Sequence, residues 1–319
     1  MSNPALGRPL GRVLVTGASG FLGRAVLDAL VADGYDAIGA DRDVSRGRPG
    51  TERLDLTVPY EVDAFLDRVR PESILHFAAF GADAAGLLAS AQGHPRTAVA
   101  VNVEGFAGLL QAAARHGVGR VVWSSSTTVY GPPAMYAPKA RVTEADPPAP
   151  TTIYGATKMI AERYTMLVLE RGDLSVTGLR LPLVYGPGRW YGGAQATWMA
   201  FASDVAHGRA GAYAFSAAEE DWIYIDDAVD AVLAAGRAAT DLAPVYNVAG
   251  TTTSPYAAAR ALIRRRNADV TVTGEPRERA IVLVDGAAFA ATTGFAPRVD
   301  VDDGVERFTR AVETEASPT

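Results

Sequence analysis

The chain has 319 residues, of which 48% are hydrophobic and 21% charged, and its formal net charge at pH 7 is −6. This length is sufficient for one large α/β domain with a smaller lobe, and the composition fits a soluble globular protein. The acidic balance argues against nucleic acid or an anionic membrane as a partner. The chain contains no cysteine, which excludes disulfides, thiol nucleophiles and zinc–thiolate sites.

Targeting and metal-binding patterns are missing as well. Residues 1–12 have no apolar core of signal-peptide length, and no segment reads as apolar enough to span a bilayer, so we expect a cytoplasmic protein. The four histidines show no metal-ligand spacing, so we expect no metal site. The thirty basic residues include only two lysines, Lys139 and Lys158, which predicts that lysine is kept where arginine cannot replace it.

The first strong pattern is an apolar run followed by three regularly spaced glycines. Residues 13–15 predict a buried strand, and the residues after Gly23 show helical spacing of apolar positions. Between them, Gly17 allows a sharp turn, Gly20 lets backbone N–H groups approach a pyrophosphate, and Gly23 lets helix and strand pack closely. A plain glycine turn is the alternative, but the flanking strand and helix favour a dinucleotide site. Its predicted residues here are Gly17, Ser19, Gly20, Phe21, Leu22 and Gly23.

The next apolar strand, residues 37–40, ends at Asp41, eighteen positions after Gly23. A carboxylate there can accept hydrogen bonds from the adenosine ribose hydroxyls and repels a 2′-phosphate. Arg42 complicates the choice, because an arginine beside that position can pair with a 2′-phosphate. A solvated aspartate at a strand end is the alternative. We predict NAD rather than NADP.

Strands and helices continue to alternate along the chain. Asp55 follows a short strand and is predicted to lie against the adenine, and the buried strand 73–79 ends in small residues that suit passage beside the cofactor. A helix after Pro95 has Asn102 in its middle. This alternation predicts right-handed crossovers and a parallel sheet. The predicted cofactor residues of this stretch are Asp55, Leu56, Phe77, Ala78, Ala79 and Asn102.

The strand at residues 119–123 ends in a cluster of hydroxyl side chains, residues 124–128, and ligands bind at the carboxyl ends of strands in open α/β sheets. After a proline-rich loop, Tyr154 and Lys158 lie four residues apart and therefore on one helical face. An ammonium group beside a phenol favours the phenolate and lowers the tyrosine pKa. An exposed tyrosine–lysine pair is the alternative, which the hydroxyl cluster, the glycine loop and the scarcity of lysine disfavour.

Beyond the strand 175–181 the alternation breaks. Residues 189–220 are rich in glycine, alanine and aromatic side chains, and a helix over 198–207 is predicted to cap the site. Later predicted elements are strands 222–225 and 245–248, a helix over 226–235, and two helices with a strand pair over 251–312. We expect a Rossmann-type doubly wound parallel sheet in residues 1–186, rejoined by 222–248, and a smaller mixed α/β substrate lobe in 187–221 and 249–319.

Six motifs, in this order and at these intervals, resemble the extended short-chain dehydrogenase/reductase family, also called the NAD-dependent epimerase/dehydratase family. The resemblance implies NAD as cofactor, Ser126 as the hydrogen-bond donor to the reacting oxygen, Tyr154 as acid/base, and Lys158 as the group that holds the nicotinamide ribose and lowers the tyrosine pKa. The motifs are residues 16–23, 76–79, 102–105, 124–131, 154–158 and 179–188. Further predicted cofactor residues are Ser124, Tyr154, Lys158, Leu181, Pro182 and Val184.

Three features depart from the sugar-nucleotide members of that family. Leu183 stands where those members usually carry asparagine, and Glu220 stands where they usually carry arginine, so a substrate diphosphate would be repelled. Thr127 and Thr128 stand where dehydratases carry Asp-Glu, so the acids needed for elimination are missing. Arg189 is either a solvated loop residue or an anchor for a substrate carboxylate or phosphate.

The leading functional hypothesis is an oxidoreductase that moves hydride between NAD and a carbinol or carbonyl carbon of a small polar substrate, sugar-like or anionic. A sugar or nucleotide-sugar 4-epimerase that recycles NAD in place is the second, and an NAD-binding regulator without redox chemistry is the third. We expect a homodimer that pairs the helices of residues 106–110 and 159–168. The predicted substrate residues are Phe80, Ser125, Ser126, Thr127, Arg189 and Trp190.

Overall fold

The computed structural model describes residues 10–81, 85–170, 172, 174–189 and 196–315. The strands are β1 (Val13–Thr16), β2 (Ala37–Asp41), β3 (Glu52–Arg53), β4 (Ser73–His76), β5 (Arg120–Ser126), β6 (Arg141–Val142), β7 (Ser175–Leu181), β8 (Leu183–Tyr185), β9 (Gly211–Ser216), β10 (Glu220–Tyr224), β11 (Val245–Asn247), β12 (Thr251–Thr253), β13 (Val270–Glu275) and β14 (Leu283–Val284). The helices are α1 (Phe21–Ala32), α2 (Pro59–Val69), α3 (Gly86–Gly93), α4 (Pro95–Val99), α5 (Phe106–Arg115), α6 (Ile153–Glu170), α7 (Ala196–Ala206), α8 (Ile225–Arg237), α9 (Pro255–Arg266), α10 (Ala287–Thr293) and α11 (Val301–Glu315).

Within the described residues, seven parallel strands form the central sheet, in the order β11-β7-β5-β4-β1-β2-β3. Every side chain of β1 and β4 is buried, as expected for strands that helices cover on both faces. The strand order reverses between β1 and β4, and ligands bind beyond the carboxyl ends of strands at such a switch point. The predicted Rossmann-type parallel sheet is confirmed.

Helices pack on the sheet through two apolar clusters. Helices α1 and α8 share one cluster, which includes Leu30 and Val232, and α2 and α5 share the other, which includes Leu66 and Leu109. Apolar residues recur at helical spacing in these segments, which is why they form amphipathic helices. Each such side chain contributes about 1.5–3 kcal/mol on burial, so the sheet is a firm base for the loops at its carboxyl edge.

Helices α4 and α5 are continuous through a π-helical stretch, Ala100–Gly105, a local widening that is frequent at functional sites. Among the described residues, the combined helix Pro95–Arg115 is long and apolar enough to cross a membrane by length and composition, with a mean hydropathy of 1.2. The expectation that no segment reaches this level was therefore wrong. Length and composition are weak evidence here, because 44% of that apolar stretch is buried inside the protein, with Phe106, Leu109 and Leu110 in its core.

The C-terminal part of the chain has an aromatic core of its own. Tyr185, Trp198, Phe201, Phe215 and Trp222 are buried in one cluster, with neighbouring ring centroids 5.2 to 5.6 Å apart. Strand β10 pairs with β8 and β12 in a separate three-stranded sheet. Strand β11 does join the central sheet.

The last third of the chain also differs in its helix count. Described residues between 251 and 312 form α9, α10 and most of α11, three helices where two were predicted. Helix α10 has only seven residues, too few for a clear helical repeat of apolar positions. The division into a cofactor domain of residues 1–186 and 222–248 and a substrate lobe of residues 187–221 and 249–319 stays a prediction.

Candidate active site

The carboxyl ends of the central strands open into a continuous cleft of about 470 Å³. Asn102 and Lys158 do not line it, and Trp190 lies outside the described residues. The predicted residues that line it are Gly17, Ser19, Gly20, Phe21, Leu22, Gly23, Asp41, Arg42, Asp55, Leu56, Phe77, Ala78, Ala79, Phe80, Ser124, Ser125, Ser126, Thr127, Tyr154, Leu181, Pro182, Val184 and Arg189.

Close backbone contacts require the glycines of the first loop. Gly17 has a φ of +73°, and a Cβ there would lie 2.4 Å from the backbone nitrogen of Ala78. A Cβ on Gly23 would lie 2.1 Å from the carbonyl oxygen of Gly17. Gly20 is the N-cap residue of α1, and no side chain among the described residues caps the N–H groups of the first helical turn. Those N–H groups are therefore left for a ligand.

This loop fits a pyrophosphate. The free N–H groups and the dipole of the 12-residue helix α1 favour an anion at its N-terminus. The hydroxyl of Ser19 is buried in the same loop and has no hydrogen-bond partner within the described part of the chain. A cradle without room for a Cβ and an unpartnered hydroxyl both suit the pyrophosphate of a dinucleotide, which Ser19, Gly20, Phe21 and Leu22 would hold.

Asp41 lies where β2 ends, beside the glycine loop. Its Oδ2 accepts a hydrogen bond from the backbone N–H of Ser19 at 2.9 Å, and its Oδ1 accepts one from that of Asp43 at 3.1 Å. Burial raises the pKa of this carboxyl, and the backbone hydrogen bonds oppose the shift. Each oxygen keeps a further lone pair for a ribose hydroxyl. Arg42, the arginine that could pair with a 2′-phosphate, lines the same cleft.

Asn102 does not line the cleft and instead forms hydrogen bonds with two residues close to it. It is buried in the π-helical stretch, its Oδ1 accepts from the backbone N–H of Phe80 at 2.7 Å, and its Nδ2 donates to Oγ1 of Thr157 at 3.0 Å. It therefore ties the loop after β4 to α6. Its predicted contact with the cofactor stays a prediction, as does that of Asp55 with the adenine.

Two serines at the end of β5 differ in what their hydroxyls do. The Ser126 oxygen accepts from the backbone N–H and the hydroxyl of Thr128, at 3.2 and 2.9 Å, so its own proton is left to donate to a ligand. The Ser125 hydroxyl donates to Oε1 of Glu162 at 2.5 Å. Ser125 is thus already engaged, and its predicted contact with substrate stays a prediction.

Tyr154 and Lys158 lie one turn apart on α6. Tyr154 lines the cleft, and Lys158 is buried behind it, with Nζ 5.6 Å from the Tyr154 ring centroid and donating to the Ser124 carbonyl at 2.7 Å. Burial lowers the pKa of Lys158 to about 8, and Glu162 opposes the shift. The ammonium is therefore charged below that pH and lies beside the Tyr154 ring.

A buried network behind these residues was not predicted from the sequence. Glu162 accepts two hydrogen bonds from Arg180, from Nε at 2.9 Å and from Nη2 at 2.7 Å, and their side chains are 3% and 2% exposed. Arg180 also donates to the Tyr130 hydroxyl, which donates to Oδ1 of Asn247 at 3.0 Å. The available signal was the spacing of four residues that places Glu162 on the same helical face as Lys158.

Several residues reach the cleft from distant parts of the chain. Arg189 donates from Nη1 to the carbonyl of Val184 at 3.1 Å, and its guanidinium lies 5.7 Å from the Phe21 ring centroid. Its role as a substrate anchor stays a prediction. Leu183 and Ile281 also line the cleft. Ile281 was not predicted, because nothing in its local sequence marks it.

Comparison with known proteins agrees with this geometry. Residues 13–249 match the NAD dependent epimerase/dehydratase family. UDP-glucose 4-epimerase of Mycolicibacterium smegmatis is 32% identical over 238 residues, which cover 70% of this chain and 73% of that protein.

Two solved structures share the fold. The crystal structure of Thermus thermophilus UDP-glucose 4-epimerase in complex with NAD has a TM-score of 0.80 at 24% identity, covering 96% of this chain and 100% of that one. L-threonine dehydrogenase from Clostridium difficile has a TM-score of 0.83 at 19% identity, covering 97% and 99%. The sequence match spans most of the chain, and the glycine loop and hydroxyl cluster lie where a dinucleotide enzyme needs them. The chain belongs to the NAD-dependent epimerase/dehydratase family, with NAD as its cofactor.

Proposed function

We propose that the protein is an NAD-dependent oxidoreductase that transfers hydride between the nicotinamide and a carbinol or carbonyl carbon of a small polar substrate. The observation that supports this best is the shared cleft of Ser126, Tyr154 and the glycine loop, with Lys158 buried beside the Tyr154 ring. A hydroxyl, a phenol and an ammonium supply a proton carrier, which suits redox chemistry at a carbon that bears oxygen.

Each of the three side chains has a separate task in this proposal. NAD, when bound, supplies the hydride acceptor or donor. The Tyr154 phenolate takes the proton of the substrate hydroxyl and returns it in the reverse direction, while Ser126 donates a hydrogen bond that holds the same oxygen in place. Lys158 stabilises the phenolate, so Tyr154 can act as a base closer to neutral pH than a free tyrosine.

A sugar or nucleotide-sugar 4-epimerase is the second candidate. It is supported by the 32% identity to the Mycolicibacterium smegmatis UDP-glucose 4-epimerase, and the same three side chains would serve it, with NAD kept in place. Glu220 argues against a nucleotide sugar, because it lines a chamber beside the substrate end of the cleft, where a diphosphate would meet a negative charge.

The fate of NAD separates these two candidates. We expect NAD to exchange during gel filtration and NADH absorbance to accumulate with a polar alcohol substrate, because a dehydrogenase must release its reduced cofactor. Protein that retains NAD and converts UDP-glucose to UDP-galactose without net NADH would establish the epimerase instead.

Tyr154→Phe removes the proton carrier and leaves the ring in place. We expect turnover to fall by about 10²–10⁴, with NAD affinity by calorimetry little changed. Tyr164→Phe is the matched control, because Tyr164 lies on the same helix and its hydroxyl accepts from Gln111 outside the cleft. Near-normal turnover in Tyr154→Phe would refute the proposed acid/base.

Asp41→Ala tests cofactor choice. The wild type should have a higher kcat/KM with NAD than with NADP, because the Asp41 carboxylate accepts hydrogen bonds from the ribose hydroxyls and repels a 2′-phosphate. In the variant, the difference in kcat/KM between the two cofactors should be smaller. The control variant Asp67→Ala, at a largely exposed site, should leave the difference in kcat/KM between NAD and NADP unchanged. A wild type that prefers NADP would show that Arg42 dominates.

We also propose that the protein is a cytoplasmic homodimer. Its interface would be a smaller apolar surface than the two helices that the sequence predicted. Phe106, Leu109 and Leu110 are buried in the chain's own core, so they are not free to form an interface. The available surface is Ile160 and Leu167 on α6, 45% and 46% exposed, with Val99 on α4 at 37%. The double substitution Ile160→Glu with Leu167→Glu should halve the mass measured by light scattering. A wild type of monomer mass at micromolar concentration would rule the dimer out.

A further inference from the structure

Beside the substrate end of the cleft lies a second, smaller chamber of about 70 Å³. This is room for a group of a few heavy atoms, since one water molecule occupies roughly 30 Å³ in the liquid. Thr127, Leu183 and Ile281 line both the chamber and the cleft, and Thr127 directly follows Ser126. A substrate whose reacting oxygen is held by Ser126 can therefore place its non-reacting end in the chamber.

One cation, Arg279, and two acids, Glu220 and Asp221, are among the residues that line this chamber, and the cation is engaged by Glu219. Arg279 donates from Nε to the carbonyl of Glu219 at 2.6 Å, and its Nη2 lies 3.9 Å from the Glu219 carboxylate. Within the described part of the chain, Glu220 is not a member of any ion pair. Burial raises the pKa of the Glu220 carboxyl, and the Trp222 side chain and Arg279 oppose that shift in part. Glu220 is thus a half-buried acid that lacks a direct cationic partner.

The other acid in the wall, Asp221, is engaged by three donors of the fold. Its Oδ1 accepts from the Thr252 hydroxyl at 2.6 Å, its Oδ2 accepts from the backbone N–H of Val284 at 2.9 Å, and Arg141 lies 3.4 Å away. The described residues contain no group of three or more acidic or histidine side chains that could hold a metal ion. Glu220 is therefore the less engaged of the two carboxylates of the chamber, which suits one small cation with N–H donors.

We propose that the chamber binds an ammonium group of the substrate, with Glu220 as its counter-ion. This inference rests on the proposed hydride transfer and specifies its substrate class, which is a small carbinol with an amino group near the reacting carbon, as in amino alcohols and amino sugars. An ammonium offers three N–H donors, which the Glu220 carboxylate and the Thr127 hydroxyl can share. Charge-assisted hydrogen bonds of this kind are about twice as strong as neutral ones.

The test uses NAD-loaded protein and two matched pairs of probes, 2-amino-1,3-propanediol with glycerol and D-glucosamine with D-glucose. Within each pair an amino group replaces a hydroxyl. Calorimetry measures binding and NADH absorbance measures turnover. We expect the wild type to bind the amino member about ten- to a hundredfold more tightly, because a charge-assisted hydrogen bond is worth about 1.5–3 kcal/mol.

Glu220→Gln keeps the shape of the side chain and removes its charge, so it should abolish the preference for the amino members. Glu278→Gln, at an exposed acid close in sequence to Arg279, is the matched control and should keep it. NAD affinity should be the same in all three proteins, which shows that the variants are folded.

Three results would overturn the ammonium site: equal binding within each pair by the wild type, no binding of either amino probe, or a preference that survives Glu220→Gln. The outcome is separable from that of the hydride-transfer proposal. NADH formation from both members of a pair, with binding of the amino member unaffected by Glu220→Gln, would leave hydride transfer standing and remove the site. Glu220-dependent binding of the amino members without NADH formation would leave the site standing and remove hydride transfer for these compounds.

Discussion

The buried ion pair of Glu162 and Arg180 holds the helix that carries Tyr154 against the sheet. Glu162 lies on α6 and Arg180 on β7, and Glu162 also accepts a hydrogen bond from the Ser125 hydroxyl on β5. Three elements therefore meet at one carboxylate with almost no access to water. Removing one member of such a pair typically costs about 3–5 kcal/mol, because the other charge stays buried without a partner. The pair thus links the helix that carries Tyr154 to β7 and to β5, the strand that ends at Ser126.

Burial of the Lys158 ammonium lowers the stability of the folded protein. Its pKa is lowered from 10.5 to about 8, first by burial and against the opposing effect of Glu162. Between these two pH values the unfolded chain binds more protons than the folded one, so stability rises with pH across that window. Below about pH 8 the folded protein holds a buried ammonium at the expense of stability. The same burial makes the charge effective at Tyr154, because a low-dielectric surrounding screens it little.

Features that depend on neighbours in the sequence could be predicted. The apolar strand, the glycines at positions 17 and 23 and the helix after them form one continuous segment, and their meaning does not depend on distant residues. Tyr154 and Lys158 could be paired for the same reason, since one helical turn joins them. This is why the parallel sheet and most of the lining of the cleft were predicted.

Features that depend on packing between distant parts of the chain could not be predicted from the sequence. Whether Phe106 and Leu109 face the core or a partner is decided by the sheet beneath them, and local spacing cannot reveal it. Glu162 looks like any charged helical residue until Arg180 is seen beside it. Ile281 reaches the cleft from the segment just before β14, and no motif marks it. The role proposed for Glu220 depends on its chamber and on the engagement of Arg279 with Glu219, which only the folded chain shows.

Hydride transfer at the Ser126 and Tyr154 end of the cleft is tested most directly by following the hydrogen itself. The protein is incubated with NADH that carries deuterium at the transferable position and with a mixture of small polar ketones and aldehydes, and the products are analysed by mass spectrometry. We expect deuterium on the new carbinol carbon with the wild type, and at least about a hundredfold less in the same time with Tyr154→Phe. Deuterium transfer that is equal in the two proteins, or absent from both, would contradict the proposed chemistry.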